Sequence, residues 1–255
     1  MPIVSQQTLN KVTKALLAPI GPFQPFVDAP SETHVYCLQQ TYDVLCRDGK
    51  EHVADYFRPY DSWLRKGLLW ADSGWKNICH YFFDSTKQGV LHWPGADAEC
   101  QYYFNKAVVT YPENMPKGMF YLGAALHLIQ DMCVPHHAVG VVFDGHQEFE
   151  KWVGDNLHNF ATKRSGLYMP FLHPSQWIRY NVAKSAPYYP FVSQKKGCSE
   201  GSYFEAAGKL LQHTVYSTAG FLEFSKMILQ NSQVNTAQTS SINNLRNLWY
   251  AEAKT

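Results

Sequence analysis

The sequence predicts an all-α protein, a single-domain helical bundle. Three observations carry that expectation: apolar residues recur at helical offsets in most segments, strand-like alternation is sparse, and no internal repeat interrupts the pattern. A chain of 255 residues has room for one large domain or two small ones, and 45% hydrophobic with 15% aromatic residues supply a sizeable core. Charged residues make up only 17%, too few for a disordered or heavily solvated repeat protein. With 22 basic and 21 acidic side chains the net charge is +1, so the basic field that draws in nucleic acid is missing. No apolar run reaches the roughly 18 residues of a membrane span.

Residues 1–30 read as an extension. Lys11 and Lys14 precede a short apolar piece, Ala15 to Ile20, after which Pro22, Pro25 and Pro30 alternate with Phe23 and Phe26. Proline at that density denies a regular helix, and the apolar piece is too short and proline-interrupted for a signal peptide. Ser31 is an N-cap opening a first helix through Val35, Leu38, Tyr42 and Leu45. A second helix runs from about Lys50 to Trp70, and a polar, aromatic loop with Asp72, Trp75 and His80 follows. A third covers Gln101 to about Tyr111. The most continuous apolar pattern spans Lys117 to Met132, with Phe120, Leu122, Ala125, Leu126 and Ile129 in phase. Pro135 breaks the chain, and Gly145 to about Phe160 forms a further helix. Residues 166–203, rich in Pro and Tyr, read as irregular. Glu205 to Leu229 is a long helix with Leu210, Leu211, Val215, Leu222 and Ile228 at helical offsets. Residues 231–255 turn polar, as a tail or a loosely docked last helix, which leaves 31–230 as the functional domain.

The chemistry concentrates in 127–150. His127 and Asp131 are four residues apart, as are His146 and Glu150, and on a helix that interval puts both side chains of a pair on one face. Pro135 and His137 lie between the pairs, where a helix must break or bend. Two imidazole–carboxylate pairs and a further His are what a multinuclear zinc site requires, since zinc takes His nitrogen and carboxylate oxygen and a catalytic site keeps one position open for water. The six cysteines (Cys37, Cys46, Cys79, Cys100, Cys133, Cys198) include no C-x-x-C pair, so they make neither a thiolate zinc motif nor a disulfide scaffold. They read as buried thiols, with one or two disulfides open if the protein is exported.

The run Phe120-Tyr121-Leu122-Gly123-Ala124-Ala125-Leu126-His127, then Asp131, Pro135-His136-His137-Ala138, His146 and Glu150, resembles the bacterial zinc-dependent phospholipases C, among them phosphatidylcholine-preferring enzymes and clostridial α-toxin-like proteins. His137, six residues after Asp131, matches the family's ligand offset; His136 then becomes a residue behind the ligands or on the surface. Leu64-x-x-Gly67-Leu68-Leu69-Trp70-Ala71-Asp72 resembles a helix-end segment whose Asp binds zinc. His80-Tyr81-Phe82 resembles the next ligand segment, Thr33-His34 the first, and Thr218-Ala219-Gly220-Phe221 a segment of the closing helix. Asp55, in Ala54-Asp55-Tyr56, competes for the Asp72 role.

The resemblance implies a helical bundle with two to three Zn2+ ions. Asp72, His80, His127 and Asp131 hold one, His137, His146 and Glu150 a second, and His34 with a bridging Asp131 a third. It also implies hydrolysis of phospholipid at a membrane surface to diacylglycerol and a phosphorylated head group, with Asp72 as general base, and an extracellular place, against which the lack of a signal-peptide pattern leaves a cytoplasmic one open. The chain reads as a monomer, and Trp63, Trp70, Trp75 and Trp93 are candidates either to dock the interface or to pack in the core. The chain departs from the family twice. No Trp precedes His34 to complete the third ion, and Asp72 and His80 are unusually close. A zinc nuclease of the same fold and a non-catalytic zinc-binding helical protein are the rival readings.

Overall fold

Met115–Asp131 is apolar nearly all round, and a helix of that kind is stable only when neighbours cover every side. In the computed structural model, which describes residues 32–73, 80–82, 95–160 and 162–252 with side chains to Val234 in the last helix, this segment is the axis of the bundle. In chain order the helices are α1 (Glu32–Arg47), α2 (Glu51–Phe57), α3 (Asp61–Asp72), α4 (Ala96–Thr110), α5 (Met115–Asp131), α6 (Pro135–Val139), α7 (His146–Asp155), α8 (Pro174–Ser185), α9 (Tyr189–Val192) and α10 (Glu200–Glu252). No strand occurs among the described residues, as the apolar periodicity predicts. No helix among them is long and apolar enough to cross a membrane.

α5 starts where Asn114 caps it, its side chain accepting from Lys117 N at 3.0 Å, with Pro116 in the first turn. It packs most extensively on α3 and α4, while α10 lies along α1. The α3–α5 crossing is close because glycines face backbone. A Cβ on Gly67 would stand 1.8 Å from the Phe120 carbonyl oxygen, and one on Gly123 2.1 Å from that of Leu64. Leu64, Leu68, Leu122, Leu126 and Ile129 fill the seam, all buried.

Several boundaries differ from expectation for local reasons. The single helix expected over Lys50–Trp70 is broken at Arg58–Tyr60, where Pro59 cannot continue the hydrogen-bond ladder. The third helix starts earlier, at Ala96, and the helix expected from Gly145 to Phe160 stops at Asp155 with a separate turn at Leu157–Asn159. The stretch read as irregular contains α8, which Pro174 opens with His173 and Gln176 completing a capping box. The polar C-terminal segment, read as a tail or a last helix, is helical: α10 continues unbroken through it to Glu252. Residues 1–31, with the extension and Ser31, lie outside the described residues, as do Trp75, Cys79 and Trp93.

Candidate metal centre

The last turn of α5 presents His127 and Asp131 together, with His127 Nε2 3.1 Å from Asp131 Oδ2. Three other elements converge on this pair. From α1, His34 brings Nε2 to 3.3 Å from Asp131 Oδ1. From the segment 80–82, His80 Nδ1 lies 2.9 Å from Asp131 Oδ2 and 3.1 Å from His127 Nε2. Asp72, ending α3, places Oδ1 3.9 Å from His127 Nε2. The ligand atoms of His34, His127 and Asp131 lie within 4.8 Å of one another, as do those of Asp72, His80 and His127. Asp131 therefore shows one oxygen to His34 and the other to His80 and His127.

A second group stands beside the first. His137 on α6 and His146 on α7 both aim Nε2 at Glu150 Oε1, at 3.4 and 2.9 Å. The strip 80–82 joins the groups: Phe82 N donates to the His137 carbonyl at 2.9 Å, and His137 Nδ1–H donates to the His80 carbonyl at 2.9 Å. That bond fixes the tautomer and leaves His137 Nε2 with its lone pair toward Glu150. His34 is set the same way, its Nδ1–H donating to Gln130 Oε1 at 2.8 Å, while Gln130 Nε2 donates to Thr218 Oγ1 at 3.3 Å. Tyr81 lies behind His146, hydroxyl oxygen to Nδ1 at 3.4 Å.

The electrostatics keep the carboxylates ionised. Burial pushes Asp131 upward, but the surrounding imidazoles of His127, His137 and His80 outweigh it and hold the carboxyl well below its usual range. Glu150 is lowered in the same manner against burial by His146 and His137. His34, despite a burial effect that lowers it, is raised to about 9, chiefly by Asp131.

This donor set fits zinc. Asp131 Oδ2 is buried and makes no hydrogen bond although two ring nitrogens stand within 3.1 Å of it. Ring lone pairs and a carboxylate oxygen turned toward one point repel unless a cation sits among them. Ligands of one tetrahedral zinc at its usual N and O distances stand about 3.3 Å apart, the spacing seen in both groups.

The sequence model of the family described as zinc dependent phospholipase C matches residues 33–252. The chain belongs to that family. No curated protein matches it. Among solved structures, alpha-toxin of Clostridium perfringens from an avian strain superposes with a TM-score of 0.62 at 18% identity, over 79% of this chain and 64% of that one. Alpha toxin from Clostridium absonum gives 0.61 and 18%, over 79% and 65%. The match thus takes in less than two thirds of either toxin, and at this identity it shows a shared fold.

In this member of the zinc-dependent phospholipase C family, every proposed ligand reaches one of the two groups. Asp55, the competitor of Asp72, does not: it sits exposed on α2, paired with Arg58 at 2.7 Å. His136 is not on the surface. It is fully buried behind the second group, donating from Nε2 to the Asp144 carbonyl at 3.0 Å, and burial lowers its pKa to about 4. The five described cysteines, Cys37, Cys46, Cys100, Cys133 and Cys198, are thiols. Trp63 and Trp70 are partly exposed, Trp70 packing on Tyr103 and Phe120.

Sequence reasoning overlooked two supporting residues. Gln130 orients His34 from within the α5 pattern, where a buried amide between two ligands was the available signal. Asp144 latches the loop between α6 and α7: its carboxylate accepts from the Ser193 and Tyr189 hydroxyls and from Lys195 N at 2.8 Å. The Ser193 and Tyr189 bonds lower its pKa to about 2. Its φ of 144° is the one positive value at a non-glycine residue among those described, followed by Gly145 at 83°. The Asp-Gly dipeptide is a turn signal in the sequence.

Proposed function

We propose that the chain is a phospholipase C, hydrolysing a phospholipid on the glycerol side of its phosphate to give diacylglycerol and a phosphorylated head group. The observation that carries the reading is Asp131, which offers one oxygen to each of two ligand sets beside a separate His137–His146–Glu150 group. His34, Asp72, His80, His127 and Asp131 would hold one or two ions and His137, His146 and Glu150 a further one. Zinc bound there would supply Lewis acidity, neutralising phosphoryl charge and lowering the pKa of water to about 7. The protein's part is positional. Ring tautomers fixed by Gln130 and the His80 carbonyl keep nitrogen lone pairs inward without rearrangement. Asp72, partly exposed at the end of α3 and 3.9 Å from His127 Nε2, is the general base, taking the proton of the attacking water on a carboxylate oxygen.

Elemental analysis of protein stripped and reloaded with zinc tests this, with phospholipid vesicles and single-stranded DNA offered to the same sample. Two to three ions with vesicle cleavage is the expected result. DNA cleavage alone assigns a nuclease, and one ion or none with neither substrate cleaved assigns a non-catalytic protein.

A further inference from the structure

The loop that joins the two halves of the second group carries apolar side chains into solvent. Phe143 is 85% exposed and Val142 48%, three and four residues before His146. Such exposure on a mobile tip would mean little, but here the backbone is tied on both sides. Val141 N donates to the His136 carbonyl at 3.0 Å, Gln194 N to the Asp144 carbonyl at 3.4 Å, and the Asp144 carboxylate takes three further donors. Asp144 also adopts a φ that a residue with a Cβ rarely takes. Strain held in place by a hydrogen-bonded frame marks a conformation kept for a purpose. The frame adds charge: Lys195, whose backbone N reaches Asp144, and Lys196 are both exposed. Two exposed apolar side chains and two exposed lysines, on segments that the Asp144 latch ties together, match an anionic lipid surface, with acyl chains for the first pair and phosphates for the second.

We propose that Val142, Phe143, Lys195 and Lys196 form a membrane-docking tip that sets the His137–His146–Glu150 group against the lipid surface. This deepens the phospholipase reading and rests on it only for the purpose of the docking, since binding is measurable without hydrolysis. Val142 and Phe143 enter the acyl boundary, and the lysines contribute only where the head groups are negative.

The test is co-sedimentation of the full zinc-loaded chain, in the cold and on short contact to limit turnover, with vesicles of phosphatidylcholine with and without phosphatidylglycerol. Phe143→Ser should weaken partitioning roughly tenfold or more on both compositions, the cost of leaving one Phe side chain in water. Lys195→Gln with Lys196→Gln should weaken it severalfold on the anionic vesicles alone, an effect that salt removes. Val109→Ser is the control: that residue is 76% exposed in the last turn of α4, which leads into the start of α5, a helix of 17 residues and about 25 Å that has Asp131 at its far end. If Val109→Ser weakens binding as much as Phe143→Ser, or if the unaltered chain ignores both vesicles, the docking tip is overturned. Hydrolysis of a water-soluble phosphodiester by the zinc-loaded chain separates the two readings. Unimpaired cleavage with vesicle binding insensitive to Phe143→Ser sinks the tip and leaves the enzyme; vesicle binding lost in Phe143→Ser, with no cleavage by the unaltered chain, does the reverse.

Discussion

The His34–His127–Asp131 group and the His137–His146–Glu150 group use the same donor types on different supports. The first is built from long helices whose positions are set by packing. α5 is locked against α3 by two glycines facing carbonyl oxygens, and Asp131 and His127 are almost wholly buried. The second hangs on α6, five residues long, and on the start of α7, held by the Asp144 latch and the 80–82 strip. Glu150 keeps its side chain 34% exposed where that of Asp131 is 2%. Packing fixes ligands deep in a core, whereas hydrogen bonds and turn residues serve where a site must open to a surface. Substitutions on the two supports should therefore have different consequences.

The largest effect is expected at the point the two ligand sets of the buried group share. Asp131→Asn should lose two of the ions and lower phosphodiester hydrolysis roughly a thousandfold, about 4 kcal/mol of barrier. Glu150→Gln should lose only one. Zinc counted by elemental analysis on the two variants sharpens the comparison; equal losses would abolish the distinction between a bridging and a terminal carboxylate.

The next effect tests packing. Gly123→Ala puts a Cβ 2.1 Å from the Leu64 carbonyl oxygen, a clash with backbone that only separation of α3 and α5 relieves. Urea unfolding of the zinc-loaded protein should show a loss of about 3 kcal/mol, at the upper end for overpacking. A loss under about 1 kcal/mol would mean that the crossing gives way easily and that packing does not position the buried group.

The buried support was legible in the sequence, and the exposed one only in part. α5 announced itself because apolar periodicity and the His127–Asp131 interval agree on one helix, and Gly67 and Gly123 fell inside segments already singled out; its Asn114 cap and its start at Met115 came only with the structure. His137, His146 and Glu150 were found from spacing, yet the residues that hold them were not. Asp144 works through bonds to Tyr189, Ser193 and Lys195, some 50 positions along the chain, and such long-range pairing leaves no local period. α8 was missed for a related reason, since Trp177 and Ile178 bury against distant partners while Pro and Tyr around them mimic a loop. His136 was left open between a place behind the ligands and the surface, because its burial behind His146 is a tertiary fact.

The latch should matter less than a ligand but more selectively. Asp144→Asn keeps the side-chain shape while losing the charge that three donors converge on. It should weaken one zinc ion roughly ten- to a hundredfold, the usual cost of disturbing a residue that orients ligands. Competitive chelator titration would show a single ion leaving early and the others unmoved. Uniform weakening of every ion would show that the two groups are one cooperative unit, and the comparison would fail.

The smallest effect probes the turn itself. Gly145 has a φ of 83°, and a Cβ there would meet the flexible Cγ of Gln194 at 2.6 Å before any backbone atom. Gly145→Ala therefore costs mainly the left-handed conformation, about 1–2 kcal/mol, because the Gln194 chain can swing aside. The same geometry starts α7 at His146, so the strain falls on one ligand's backbone and not on the bundle. Thermal unfolding should drop by a few degrees, as expected for about 1 kcal/mol in a chain of this size, with the ion at His146 leaving slightly earlier in the chelator titration. An equal stability loss with zinc removed would place the strain in the turn alone. A loss confined to the zinc-loaded protein would show that Gly145 acts by presenting His146, which is the stronger form of the contrast with Gly123.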